Sequence, residues 1–402
     1  MQFPKEFLSE VCARNDIAKV FQKHVRELKP AGHDFVCCCP FHSEKTPSCH
    51  IYEDHFYCFG CGAGGDVITF VQRIENRDFA DAVQVLAEQS GLSLPNETAE
   101  EHAAYTDRAK LLGMNKEAAR YFRDKLMSEQ GTGGLFYLTE RGLTLNTIRK
   151  YGLGYAPGDG SLISHLKTLG YNEKDLIDGS LAVWRDNKLR EKFWSRVMFP
   201  IIDRNGAIVG FGGRIMNNGE PKYLNSGETA VFRKREQLFS LNFAKNDKNG
   251  RLILCEGYMD VIAVNQAGFG GAVATLGTAI TEEQARIMAR FAPEVVIAYD
   301  ADGAGQKAAT KAINLLGAAG VNAKVLQMKG AKDPDEYIKK FGAEAFGELI
   351  NKSGSAISYE IDKLKSAADM NSPSERAEYL KKAVRLLADI NDTLTAKTYA
   401  AR

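Results

Sequence analysis

The sequence predicts a multidomain chain of mixed α/β and α+β class. It comprises an N-terminal zinc ribbon, a mixed α/β subdomain, a parallel-sheet α/β core and a C-terminal helical subdomain. Three observations carry this reading: cysteine and histidine pairs between 37 and 61, apolar runs between 252 and 335 that end abruptly in acid, and amphipathic helical periodicity beyond 350. The boundaries follow composition and periodicity: 1–95, a polar linker over 96–108, then 109–245, 246–350 and 351–402.

In the first segment, Phe3 to Ala13 and Asp16 to Phe21 have short-helix patterns. Six of the eight cysteines lie between 37 and 61, the clustering of a metal site rather than a disulfide framework. Cys39-x2-His42 and Cys58-x2-Cys61, fifteen residues apart, are two knuckles that aim four ligands at one ion. Three thiolates and one imidazole suit tetrahedral Zn²⁺ with no open position, a structural site. Cys37, Cys38, Cys49, His50 and His55 are the alternatives, and none pairs at that spacing. Gly60 and Gly62 supply backbone freedom for the second knuckle. Asp66 caps a helix over Val67 to Ile74, and Phe79 to Gln89 is amphipathic. From Gly91 the periodicity fades into the linker.

The 109–245 segment carries the basic groups. Arg204-Asn205-Gly206 predicts a hairpin between Phe193–Asp203 and Ala207–Arg214. Residues 185 to 236 contain eleven basic and six acidic side chains, although the whole chain is nearly neutral at 52 against 51. With Tyr223 and Phe232 interleaved, this stretch suits a phosphate backbone, although such a mixed surface is often only solvated.

In the 246–350 segment, strands alternate with helices over Tyr258 to Ala267, Thr281 to Phe291 and Ala304 to Leu316, ending on a strand over Asn322 to Gln327. Thr281-Glu-Glu-Gln284 has capping-box spacing. Ligands of such sheets bind beyond the carboxyl ends of the strands, where Glu256, Asp300 and Asp302 fall, with Asp260 one turn into the next helix and Asp333 and Asp335 opening another. Six carboxylates on one edge repel without a counter-charge, and oxygen donors favour Mg²⁺ or Mn²⁺. Asp333-Pro334 also reads as an N-cap with proline at the first helical position. Beyond 350, Ile357 to Ala367 and Ser374 to Ile390 are amphipathic helices. The chain has no run of eighteen apolar residues and no signal-peptide pattern, which points to a cytoplasmic protein.

Cys39-Pro-Phe-His-Ser-Glu-Lys-Thr-Pro-Ser48 with Phe-Tyr-Cys-Phe-Gly-Cys-Gly-Ala-Gly-Gly-Asp66 resembles the zinc-binding domain of bacterial replicative DNA primases. The acidic stretch resembles their Toprim fold, shared with topoisomerases. Cys49, where an aromatic residue is more usual, and Ala301, where glycine is, depart from the pattern without removing a ligand.

The resemblance implies template-directed joining of NTPs into RNA primers on single-stranded DNA at the replication fork by a monomer. Two or more Mg²⁺ or Mn²⁺ ions would be held by Asp300, Asp302, Asp333 and Asp335, with Glu256 as ligand or proton acceptor and Asp260 as ligand or support. It marks Arg141, Arg196, Arg214, Lys222, Tyr223, Asn225 and Lys234 as template or nucleotide contacts. The zinc domain would recognise the starting sequence. Because the chain stops at Arg402, a shortened or short relative without the helicase-docking domain is expected, and helicase binding is doubtful. A Toprim nuclease or topoisomerase, and a non-catalytic zinc-ribbon DNA-binding protein, are the competing readings.

Overall fold

The computed structural model describes residues 3–400 except 26, 33, 76, 78, 96–98, 218, 278, 389–396 and 398. The chain divides into two compact units, Met1–Lys110 with Arg204–Ala207, and Leu111–Asp203 with Ile208–Arg402.

The first unit starts with α1 (Lys5–Arg14) and α2 (Ile17–Gln22), the latter capped by the Asp16 carboxylate. Five short strands follow: β1 (Lys29–Ala31), β2 (Asp34–Cys37), β3 (Cys49–Ile51), β4 (Phe56–Cys58) and β5 (Gly64–Gly65). They form one antiparallel sheet in chain order. Strand alternation turns Cys49, Ile51, Phe56 and Cys58 inward and leaves His50 and Tyr57 outward. Helix α3 (Val67–Ile74), capped by Asp66, and α4 (Phe79–Gln89) complete the core, in which Phe21 stacks on Phe70.

Helix α5 spans Ala99–Leu126. Within the polar linker expected over 96–108, residues 99–108 are helical; 96–98 lie outside the described residues. Alanine and glutamate there are strong helix formers, and this propensity needs no amphipathic stripe.

In the second unit come α6 (Thr132–Glu140), α7 (Leu145–Lys150), β6 (Gly154–Ala156), α8 (Ser161–Thr168) and α9 (Glu173–Asp178). Strands β7 (Ala182–Arg185) and β8 (Lys188–Glu191) make a separate hairpin that turns at Asp186 and Asn187, both at positive φ. Strands β9 (Arg196–Ile202), β10 (Ile208–Ile215) and β11 (Tyr223–Asn225) join β6 in an antiparallel sheet ordered β11-β10-β9-β6. The predicted hairpin is therefore β9–β10, and Gly206 in its turn has φ +89°.

The core follows as β12 (Leu238–Phe239), α10 (Leu241–Ala244), β13 (Arg251–Cys255), α11 (Tyr258–Gln266), β14 (Ala272–Thr275), α12 (Glu282–Phe291), β15 (Glu294–Ala298), α13 (Gly303–Ala318), β16 (Asn322–Val325) and α14 (Pro334–Asn351). With β17 (Gly354–Ser355) the sheet order is β12-β14-β13-β15-β16-β17; the inner four strands are parallel and the two-residue edges antiparallel. Strands β13, β14 and β15 are buried almost throughout, as expected for a sheet covered on both faces. Thr281 and Gln284 complete the predicted capping box of α12.

Helices α15 (Ala356–Ser366) and α16 (Pro373–Ala388) end the described fold; the predicted helix end at Ile390 lies outside the described residues. Among the described residues no helix is long and apolar enough to cross a membrane.

Candidate functional site

Two side-chain clusters have the chemistry of metal sites. In the first unit the ligand atoms of Cys39, His42, Cys58 and Cys61 all lie within 4.8 Å of one another. Cys39 Sγ is 3.8 Å from Cys61 Sγ, and Cys58 Sγ is 3.8 Å from His42 Nδ1. A tetrahedron with Zn–S bonds of about 2.3 Å has S···S edges of roughly 3.8 Å, so the quartet fits zinc. None of the alternative cysteines or histidines joins this group.

His42 turns its other nitrogen, Nε2, to Glu44 Oε2 at 3.2 Å. Glu44 also accepts from the Cys39 amide at 2.6 Å and the Ser48 hydroxyl at 2.6 Å. The Ser48 hydroxyl first, then the Cys39 amide, hold the Glu44 carboxyl below its ordinary range. A carboxylate behind a metal-binding imidazole fixes its ring and tautomer. The motif contains Glu44, but ligand spacing alone does not single it out.

The two thiol ends differ. Burial raises Cys58, but its contacts with Ser48, Cys61 and Gly60 outweigh it and bring the thiol down to about 7. Burial and the neighbouring thiols push Cys39 up to about 12, so a metal must displace its proton. Gly62 has the positive φ expected of the knuckle. Gly60 serves another purpose, since a Cβ there would sit 2.8 Å from His42 Nε2 and Ser48 Oγ.

In the second unit, acids gather at the carboxyl ends of β13 and β15 and at the start of α14. Glu256 follows β13, and its Oε1 accepts from the Asp300 amide at 3.0 Å. The Ala301 amide donates to the Lys332 carbonyl at 2.9 Å, tying the turn after β15 to the one before α14. Asp302 and Asp333 are both N-caps: Asp302 accepts from the Ala304 and Gly305 amides, Asp333 from the Glu336 amide. The cap reading of Asp333-Pro334 therefore holds, and it leaves further carboxylate oxygen lone pairs for a metal.

Burial and crowding raise the proton affinity of Glu256, Asp260 and Asp300. Burial first, then Asp333, Asp300 and Asp335, raise the Asp260 carboxyl to about 7. Burial and then Glu256, Asp333 and Asp302 raise Asp300 to about 6. Burial also raises Glu256, with Asp302 adding to it. Asp335 differs: its Oδ2 lies 2.7 Å from Lys339 Nζ and 3.5 Å from Arg141 Nη2. Among the described residues these acids do not close into a tight ligand cage. An open set of oxygen donors is what Mg²⁺ uses, keeping positions for water and substrate phosphates.

The predicted basic contacts separate into two kinds. Arg214 lies over Tyr137 and Tyr223, 5.4 and 5.0 Å from their ring centroids, and donates to Tyr223 Oη at 2.6 Å. The Arg214 and Arg141 Nε atoms and Tyr137 Oη are buried without a protein partner, so this corner is polar and unsatisfied. Tyr137 and Lys339 were not legible as site residues. Lys222 is exposed and Lys234 partly so.

Arg196 corrects an expectation. It is 1% exposed, and its guanidinium donates to the carbonyls of Gly213, Pro221 and Lys222. It holds the β10–β11 connection and has no open face for a phosphate. Asn225 is likewise engaged: it donates to the Leu276 carbonyl and accepts from Tyr258 Oη, both at 2.8 Å.

Comparison with known proteins agrees with this geometry. Residues 3–102 match the CHC2 zinc finger family, 121–245 the N-terminal domain of the DNA primase catalytic core, and 253–338 the Toprim-like family. A DNA primase of Halalkalibacterium halodurans is 35% identical over 409 residues, covering 99% of this chain and 68% of that protein. This chain belongs to the bacterial DNA primase family. The primase of Clostridium acetobutylicum is 38% identical over 96% of this chain. The chain spans 65% of that primase's length and 66% of the Enterococcus faecalis primase. The crystal structure of the Aquifex aeolicus primase zinc-binding and RNA polymerase domains aligns with TM-score 0.67 at 32% identity, covering all of this chain and 96% of that one. A DnaG primase catalytic domain bound to single-stranded DNA aligns with TM-score 0.63 at 32% identity, over 73% of this chain and 94% of that one.

One expectation drawn from the resemblance is overturned. Residues 357–402 match the family described as the DnaB-helicase binding domain of primase, so this primase-family chain does not lack that region. The amphipathic pattern of its helices was legible, but amphipathicity names no partner, and the end of the chain was no guide.

Proposed function

We propose that this chain joins ribonucleotides into short RNA on a single-stranded DNA template. The observation that carries the reading is the convergence of Glu256, Asp260, Asp300, Asp302 and Asp333 at one sheet edge, with Arg141 reaching Asp335. Asp300, Asp302 and Asp333 would hold divalent ions, with Glu256 and Asp260 beside them and Asp335 poised between metal and Lys339. Such ions, when bound, lower the pKa of an attacking hydroxyl and offset charge on a pyrophosphate leaving group.

This chain's own groups do the rest. Glu256, beside the metal-holding aspartates, can take up a proton near the reacting hydroxyl. Arg214, held by Tyr137 and Tyr223, presents a fixed cation to phosphate, and Lys222 and Lys234 extend that charge. Phosphate contacts position a template without reading it. The zinc unit would recognise the starting sequence. Residues 357–402 would meet a replicative helicase, the partner named by the matching family.

Incubation with single-stranded DNA, NTPs and Mg²⁺ or Mn²⁺ tests the reading. Short template-dependent RNA is expected. Cleavage of the DNA strand would move the acids to nuclease chemistry, and binding without synthesis would make the chain a passive zinc-ribbon protein.

A further inference from the structure

The first unit contains two buried thiols that zinc does not use. Cys37 on β2 and Cys49 on β3 face each other directly in the antiparallel register. Both are buried in the core, 2% and 0% exposed. Directly opposed residues of an antiparallel pair have Cα atoms about 4.5 or 5.5 Å apart. Disulfides span about 4.4 to 6.8 Å, so the backbone already stands at bridging distance.

Cys49 also faces Cys58 across β4. Cys58, however, turns its sulfur to Ser48 Oγ at 3.3 Å and His42 Nδ1 at 3.8 Å, into the zinc quartet. Cys37 and Cys49 thus form the pair left over once zinc has taken its ligands.

We infer that Cys37 and Cys49 are a redox pair that a hydroperoxide converts to a cross-strand disulfide, stapling the loop that carries the first zinc knuckle. The inference rests on the zinc assignment of the quartet, not on the polymerase reading. One thiol attacks the peroxide, the O–O bond breaks, and sulfenic acid and water form. The second thiol attacks that sulfur, the S–S bond forms, and hydroxide leaves with the second thiol's proton as water. Two thiols supply two electrons and one hydrogen peroxide accepts them, giving two waters.

The closed loop, 37 to 49, contains Cys39, His42, Glu44 and Ser48: two ligands and the groups that orient them. Burial makes the reaction wait for local opening, which strands of three and four residues permit. In the oxidised form the loop stays closed if zinc leaves, so the knuckle is ready to take it back.

The test uses the zinc-loaded full chain, treated with hydrogen peroxide, alkylated under denaturing conditions and peptide-mapped, with zinc measured in parallel. The expected result is loss of two free thiols, one Cys37–Cys49 cross-link and one zinc retained per chain. A cross-link containing Cys58 or Cys61, or no cross-link, overturns the inference. In Cys49→Ser the cross-link is lost with zinc retained; persistence of a disulfide at Cys37 contradicts the pairing. A second measurement needs no variant. After zinc is stripped by a chelator, the oxidised chain recaptures zinc faster than the reduced chain, on the order of tenfold, because its loop is already closed. Equal rates refute the staple. Absence of zinc from the untreated chain would instead strike at the quartet assignment itself.

Discussion

Replacing Asp260 with Asn should stabilise the magnesium-free protein at pH 8, although it removes one of the clustered acids. Burial, with Asp333, Asp300 and Asp335 nearby, raises the Asp260 carboxyl from 3.8 to about 7. One pKa unit corresponds to about 1.4 kcal/mol, so the ionised carboxylate costs the fold at most about 4 kcal/mol. Its outer edge is partly open to solvent, and screening reduces this to roughly 2 kcal/mol. The sign follows from proton binding. Between pH 4 and 7 the folded protein holds a proton that the unfolded chain has released, so stability falls as pH rises through that window. Asp300, raised to about 6, acts in the same direction.

Both tryptophans, Trp184 and Trp194, belong to the second unit, so urea denaturation followed by their fluorescence reports on it. In magnesium-free buffer the parent protein should lose stability from pH 5 to pH 8. Asp260→Asn should flatten that loss and gain roughly 2 kcal/mol at pH 8. Saturating Mg²⁺ or Mn²⁺ should stabilise the parent and act less on the variant. A variant less stable than the parent at pH 8 without metal would refute the reasoning, because the carboxylate would then be a satisfied structural group.

Glu44→Gln keeps the shape but loses the charge that accepts from His42, and competition with a chromophoric chelator should show about 10- to 100-fold weaker zinc binding. Cys61→Ser should release zinc and unfold the first unit, read by metal content and circular dichroism; retention of one zinc per chain contradicts the quartet. Arg196→Met orphans three carbonyls and should cost about 3 kcal/mol or more in denaturation; unchanged stability with lost template binding would restore Arg196 as a phosphate contact. Asp302→Asn retains an N-cap acceptor, whereas Asp302→Ala also loses about 1 kcal/mol of helix capping. Both should abolish RNA synthesis with template binding intact, and synthesis by Asn alone would show that capping, not charge, matters there.

The zinc quartet was readable because ligand spacing is local: two x2 pairs place the donors wherever the knuckles fold. The acids were readable as strand ends because apolar runs of the parallel sheet stop at one layer, and β13 and β15 do so at Cys255 and Ala298. Other features depend on distant partners. Arginine is usually exposed, so nothing local showed Arg196 buried among carbonyls brought by β10 and the loop before β11. Asn225 looked like a free amide until Tyr258 and Leu276 arrived from elsewhere in the chain. Strands β12 and β17, two residues each, are too short for any period-2 signal.

Tyr258 has a consequence for how two sheets of the second unit are held. It opens α11 of the parallel core, stacks on Phe199 of β9 with centroids 5.2 Å apart, and bonds to Asn225 of β11. Gly212 of β10 leaves room for it, since a Cβ there would stand 2.7 Å from the ring. The sheet bearing Arg214 and the sheet bearing the acids are thereby bolted together at an aromatic peg. The stack and the hydrogen bond fix the spacing of the two sheets at this point.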